Sequence, residues 1–174
     1  MQQQSKQTKL WVMTALFTAI TCVCTMVIAI PTPWGGYVNL GDTGVLLGAY
    51  LLGPWYGAIA GGVGSALADI LLGYTIYAPA TLLIKGLMAV VAGLLMGVVG
   101  KALSGRLTCG VAAELVMIVG YWLFDGLLSG NLLAGLVGIG SNGIQAVFGI
   151  AASTALVMAL ERSDSVTRNF VSLR

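Results

Sequence analysis

The chain has no histidine, and only 8% of its 174 residues are charged. Soluble domains carry about 25% charge, so the composition leaves almost no room for a soluble domain and points to an integral membrane protein. Without histidine the commonest metal ligand and general base is missing. No metal site, cofactor or histidine-dependent catalysis is expected, and with no serine–histidine pair and no H-E-x-x-H, a hydrolase buried in the membrane has no support. Cysteine is scarce too. Cys22 and Cys24 are two apart on an expected helix and point to nearly opposite faces, so they and Cys109 read as small packing residues rather than a disulfide or a metal pair.

Two nucleotide motifs are present only as near misses. Gly97-Val-Val-Gly-Lys101 lacks the first glycine of a P-loop (Leu95) and its Ser/Thr (Ala102), so ATP is not bound that way. Gly138-Ile-Gly-Ser-Asn-Gly143 fits G-x-G-x-x-G but opens a membrane helix, where the dinucleotide fingerprint needs a preceding strand.

What the chain does have is apolar length, with 58% hydrophobic residues and 25 glycines. Six spans are expected, at about Leu10–Ile30, Asn39–Leu52, Trp55–Leu72, Ala78–Val99, Cys109–Leu128 and Gly138–Leu160. Pro31, Pro33, Gly35, Gly36, Gly53-Pro54, Gly73, Pro79, Ser104-Gly105 and Ser129-Gly130-Asn131 break them. They form one all-α domain over residues 1–174, with short polar tails at 1–9 and 161–174. The second span is too short to cross ~30 Å of hydrocarbon as a straight helix, so it is either packed inside the bundle or extended by the loop before it. The first apolar run is too long for a signal peptide and no A-x-A site follows, so it reads as a retained helix. Gly44/Gly48, Gly57/Gly61 and Gly93/Gly97 have the spacing of small-residue helix contacts and read as packing within the chain.

Basic residues orient the bundle. Lys6 and Lys9 precede the first span, Lys101 and Arg106 lie between the fourth and fifth, and Arg162, Arg168 and Arg174 follow the sixth; the opposite connections carry none. Both termini are therefore expected in the cytoplasm. On that topology Asp42, Asp69, Lys85, Asp125, Asn142 and Gln145 converge near the outer side, and only Glu114 lies in the inner half. Lys85 stands inside an apolar run, where a lysine costs roughly 2.5–3.5 kcal/mol on insertion scales and marks a functional position by default. Two readings compete. In one, Asp42 or Asp69 merely neutralises Lys85, and Trp34, Tyr37, Tyr74, Tyr77, Tyr121 and Trp122 form an interfacial belt. In the other, these groups build an outward pocket with aromatic walls for a small, flat, polar solute. Concentration of the polar groups on one side favours a pocket over a conduction path.

Three runs carry a family resemblance: Asn39-Leu-Gly-Asp-Thr-Gly-Val-Leu-Leu-Gly48, Leu52-Gly-Pro-Trp-Tyr-Gly through Ser65-Ala-Leu-Ala-Asp69, and Tyr77-Ala-Pro-Ala-Thr-Leu-Leu-Ile-Lys-Gly86. They resemble the substrate-binding S components of energy-coupling factor (ECF) vitamin transporters, closest to the branch with riboflavin, hydroxymethylpyrimidine and pyridoxine types. The resemblance implies a multi-pass protein of a prokaryotic plasma membrane. It would bind a vitamin from outside, dock on a transmembrane coupling subunit with two ATPases, and tilt to deliver its ligand. Ala15-Leu-Phe-Thr-Ala19 matches the family's A-x-x-x-A docking pattern. By position, Trp34, Tyr37 and Asn39 fall in a lid, and Tyr77 in the second outer loop. Lys85, Asp125, Asn131, Asn142 and Gln145 fall on walls or floor, and Asp42 and Asp69 are either contacts or partners of Lys85. The many acids favour a small pyridine or pyrimidine alcohol, with riboflavin the alternative. A self-sufficient secondary transporter has less support, since neither inverted repeats nor a midplane site is evident; an assembly protein docking through small-residue faces is a third reading.

Overall fold

The computed structural model describes residues 2–33, 36–163 and 170. Trp34 and Gly35 of the expected lid, and Arg168 and Arg174 of the expected basic tail, lie outside the described residues. The first helix, α1 (Gln2–Val27), leads into an antiparallel ribbon of β1 (Ala29–Pro31) and β2 (Tyr37–Asn39), with Ala29 opposite Asn39 and Pro31 opposite Tyr37. Then follow α2 (Gly41–Leu52), α3 (Pro54–Leu71), α4 (Ala78–Val99), α5 (Leu103–Leu128), the single turn α6 (Leu132–Gly135), a 3-10 turn at Leu136–Gly138, and α7 (Ile139–Glu161). The expected all-α bundle is present, with six helices of more than two turns among the described residues.

Among the described residues, four stretches are long and apolar enough to cross a membrane: Lys6–Val27, Ala78–Val99, Leu103–Leu128 and Leu132–Glu161. The surface explains their composition. Leu82, Leu83, Leu87, Leu94 and Val98 of α4 point outward, while Thr81, Lys85, Met88, Ala89 and Ala92 face the interior. A water-soluble bundle reverses that arrangement. On α3 the outward stripe is Trp55, Ile59, Val63, Leu67 and Ile70, and the inward face is small: Gly57, Ala60, Gly61, Gly64, Ser65 and Ala68.

Helix α2 resolves the question of the short second span. All twelve of its residues are buried, because α1, α3, α4 and α7 all pack on it. It is the axis of the bundle. Small residues permit this closeness: a Cβ on Gly57 would lie 2.7 Å from Ala49 Cα, and one on Gly64 would lie 2.6 Å from the carbonyl oxygen of Thr18. The helical small-residue pattern is thus used within the chain at Gly44, Gly57, Gly61 and Gly93, whereas Gly97 faces open space. Gly53, at φ 83°, and Pro54 at the start of α3 turn the chain sharply between α2 and α3; proline fits there because its missing N–H has no helical partner to lose.

Several boundaries differ from expectation. The break after α1 is an ordered ribbon rather than a plain loop, and Pro31 sits at its end, where no ladder donor is needed. Helix α5 begins at Leu103 rather than Cys109, and the turn α6 is inserted before α7. All three cysteines are free thiols.

Candidate ligand-binding site

A polar cavity lies where the ribbon covers the outer ends of α3, α4, α5 and α7, taking the Lys101 and Arg106 end as the inner one. Thr25, Thr32, Tyr37, Asn39, Ser65, Asp69, Tyr77, Thr81, Lys85, Tyr121, Asp125, Ser141, Asn142 and Gln145 line it. Its volume is about 40 Å³, room for a few waters.

The floor is built on α2. Asp42, fully buried, receives Lys85 Nζ on Oδ1 and Gln145 Nε2 on Oδ2, the latter at 2.6 Å. Burying a charge is tolerable only when it is paired and hydrogen-bonded, and here three helices supply one such cluster. Gln145 continues it upward, since its Oε1 accepts the Asn39 backbone N–H at 2.8 Å, and the Asn39 side chain accepts the Gly41 N–H at 2.8 Å. The lid strand is therefore tied, through one glutamine, to the ion pair under the cavity. Lys85 Nζ also stands 5.3 Å from the centre of the Tyr121 ring, within cation–π range.

The upper walls carry two further carboxylates, each met by a tyrosine from a connection. Tyr37 Oη donates to Asp69 Oδ1 at 2.6 Å, and Tyr77 Oη to Asp125 Oδ1 at 3.0 Å. Burial, then the hydrogen bond to Asp69 and that residue's charge, push the Tyr37 phenol up; burial and then the Asp125 charge do the same for Tyr77. Both stay protonated and remain donors. The tyrosines pack with Tyr74 and Phe124, Tyr37 to Tyr74 at 4.6 Å and Tyr77 to Phe124 at 5.3 Å between ring centres. Asp69 Oδ2 and Ser65 Oγ are buried with no hydrogen-bond partner among the described residues. Such groups are costly unless something satisfies them. The cavity thus offers unspent hydrogen-bonding capacity beside two carboxylates, while its one ammonium is already matched by Asp42.

Of the residues singled out in the sequence, Tyr37, Asn39, Asp69, Tyr77, Lys85, Asp125, Asn142 and Gln145 are brought together on the lining. Asp42 is beneath it, as the partner of Lys85; Asp69 is not that partner. Asn131 is not on the lining: it starts α6, accepting the Leu133 N–H at 3.0 Å. Trp122 is committed elsewhere, its indole N–H donating to the Leu132 carbonyl. The hydroxyls of Ser65, Thr81 and Ser141 were missed. Their signal was helical spacing: Ser65 precedes Asp69, Thr81 precedes Lys85 and Ser141 precedes Gln145 by four residues each, one turn on the same face. Thr25 and Thr32 had no such marker.

A membrane-type helical bundle holding a capped polar cavity has the layout of a solute-capturing membrane protein. Residues 5–162 match the family of the S component of the ECF-type riboflavin transporter, and the chain belongs to that family. S components are the substrate-binding parts of transporters and not enzymes. A thiamine precursor transporter, HmpT, of Lactococcus lactis subsp. cremoris (strain MG1363) is 30% identical over 161 residues, covering 91% of this chain and 92% of that protein. An uncharacterized protein of Pyrococcus woesei is 46% identical over 101 residues, covering 57% of this chain and 66% of its own length.

Proposed function

We propose that this protein is the vitamin-binding S component of an ECF-type importer. In this reading it spans a prokaryotic plasma membrane six times with both termini inside, and captures a small water-soluble vitamin from outside. It then delivers the vitamin by tilting on a coupling subunit driven by two ATPases. The preferred ligand is a hydroxymethylpyrimidine or pyridoxine-like alcohol. The observation that carries this is the pairing of Asp69 and Asp125 with tyrosine hydroxyls across a small cavity. An amino or hydroxymethyl group on an aromatic ring can donate to the second oxygen of either carboxylate while each tyrosine keeps Oδ1, the ring itself stacking on Tyr37, Tyr77 or Tyr121. Tyr37, Asn39, Asp69, Tyr77, Lys85, Asp125, Asn142 and Gln145 are the proposed contacts. The likeness to a thiamine precursor transporter over nearly the whole chain supports the same substrate class.

Riboflavin is the second reading, favoured by the family's own description. It requires a longer pocket than the small alcohol does, because of its three-ring system and sugar-alcohol chain. Ala15 and Ala19 are exposed on α1 beside Leu16 and Ile20, which suits the proposed docking of the coupling subunit. Calorimetric titration of the purified protein with a panel of B vitamins and precursors tests the reading. Tight binding of one small heteroaromatic alcohol is expected. Binding of none at micromolar concentration overturns the S-component role, and selective riboflavin binding overturns the substrate.

A further inference from the structure

Strand β2 is tied to the helices at both of its ends. At Tyr37 the phenol donates to Asp69 of α3, and at Asn39 the backbone N–H donates to Gln145 Oε1 of α7 at 2.8 Å. The first tie lies on the cavity wall. The second runs on into the bundle. The same Gln145 amide gives its Nε2 to Asp42 Oδ2 at 2.6 Å, and Asp42 holds Lys85 on its other oxygen. The neighbours fix which way the amide points, since a backbone N–H can meet only its oxygen and a carboxylate only its NH2. One planar group from α7 thus clamps both the last residue of β2 and the first turn of α2.

Between those two points strand becomes helix. Leu40 has φ −94° and ψ 9°, in the sparsely used bridge region. Gly41 is packed so closely that a Cβ there would lie 2.2 Å from Thr25 Oγ1. Short junctions at the ends of elements are where moving lids take up their change of angle, and Gln145 holds this one across from α7. Two features make the hold firm. Gln145 is 3% exposed, so a strand that lifts away leaves a buried amide oxygen unmet, at a cost that opposes lifting. The ion pair with Lys85 also makes Asp42 a charged acceptor, and hydrogen bonds to charged groups are roughly twice as strong as neutral ones.

We propose that Gln145 is the latch of the lid, a positioning residue through which the Asp42–Lys85 pair sets how firmly β2 is seated over the cavity. This rests on the reading of the ribbon as the lid of a ligand site. Lys85 also lines the cavity. A solute that draws its ammonium leaves Asp42 more fully to Gln145 and seats the strand more firmly, so capture and closure are linked from beneath the cavity.

The test uses no ligand, so it can fail while vitamin binding stands, and the reverse. Asparagine-selective ¹⁵N labelling of the full-length protein in lipid nanodiscs marks the backbone amides of Asn39 in β2 and Asn142 in α7. Their exchange into deuterated water is followed by NMR. Gln145→Met keeps the length of the side chain and removes both polar groups. Asn39 is expected to exchange about tenfold faster or more in this variant, while Asn142 changes by less than about twofold. Asp42→Leu with Lys85→Met replaces the buried pair by apolar residues, a change bundles often tolerate, and leaves Gln145 and Asn39 in place. It is expected to speed Asn39 exchange in the same sense. An unchanged Asn39 rate in Gln145→Met overturns the latch, and an unchanged rate in the paired variant overturns its link to Asp42 and Lys85. Asn39 and Asn142 accelerating together in either variant, as general loosening produces, overturns the proposal too.

Discussion

Lys85 shows how one expensive side chain organises its surroundings. It lies on the cavity lining and is also neutralised by Asp42. Removing one partner of a buried pair leaves an uncompensated charge, at about 3–5 kcal/mol. Lys85→Met is therefore expected to lower the melting temperature steeply, and Lys85→Met with Asp42→Asn to recover most of the loss, as read by thermal melts in detergent. Tyr37→Phe strands the Asp69 carboxylate that its hydroxyl serves. A hydrogen bond to a charged group contributes about 1.5–3 kcal/mol, so lid closure weakens and bound ligand is expected to dissociate about tenfold faster or more in stopped-flow measurements. The costly residues of the site were legible in the sequence because charge in an apolar run has few explanations. Ser65, Thr81 and Ser141 were not, because a hydroxyl is cheap to place in a membrane helix, where it can bond its own backbone.

At the scale of elements, helix α2 and the β1–β2 ribbon explain what the sequence left open. The burial of a twelve-residue helix on every side is invisible to hydropathy alone; it follows from the small-residue face of α3 that lets neighbours close in on it. The ribbon was visible only as a proline and glycine break, because three-residue strands carry too little alternation to register. Asn131 was misplaced for a related reason: the turn α6, which it caps, is one turn long and leaves no periodic signal. The glycines give a sharp contrast. Gly64→Val forces side-chain atoms into the backbone of α1 and is expected to cost about 1–3 kcal/mol or more. Gly97→Ala meets no atom within 4 Å and is expected to change stability by less than about 1 kcal/mol, in the stabilising direction, since alanine is the better helix former. Paired melts of the two variants check both.

For the whole molecule, capture and energy supply are separate tasks. The bundle supplies a capped cavity, and its P-loop-like run Gly97–Lys101 lacks the first glycine and the Ser/Thr that ATP binding of that kind needs. Liposomes containing this protein alone are expected to bind the vitamin without accumulating it, and to accumulate it on ATP addition once the coupling subunit and ATPases are included; radiolabel uptake distinguishes these outcomes. The central claim, that two carboxylates under tyrosine lids select a small heteroaromatic alcohol, is tested most directly by titrating the purified protein with 4-amino-5-hydroxymethyl-2-methylpyrimidine, pyridoxine and riboflavin, in wild type and in Asp69→Asn and Asp125→Asn. One of the two small alcohols is expected to bind most tightly. Each substitution is expected to weaken that binding by about tenfold or more, equivalent to about 1.4 kcal/mol. Tightest binding of riboflavin, or a small alcohol bound equally well by all three proteins, would contradict it.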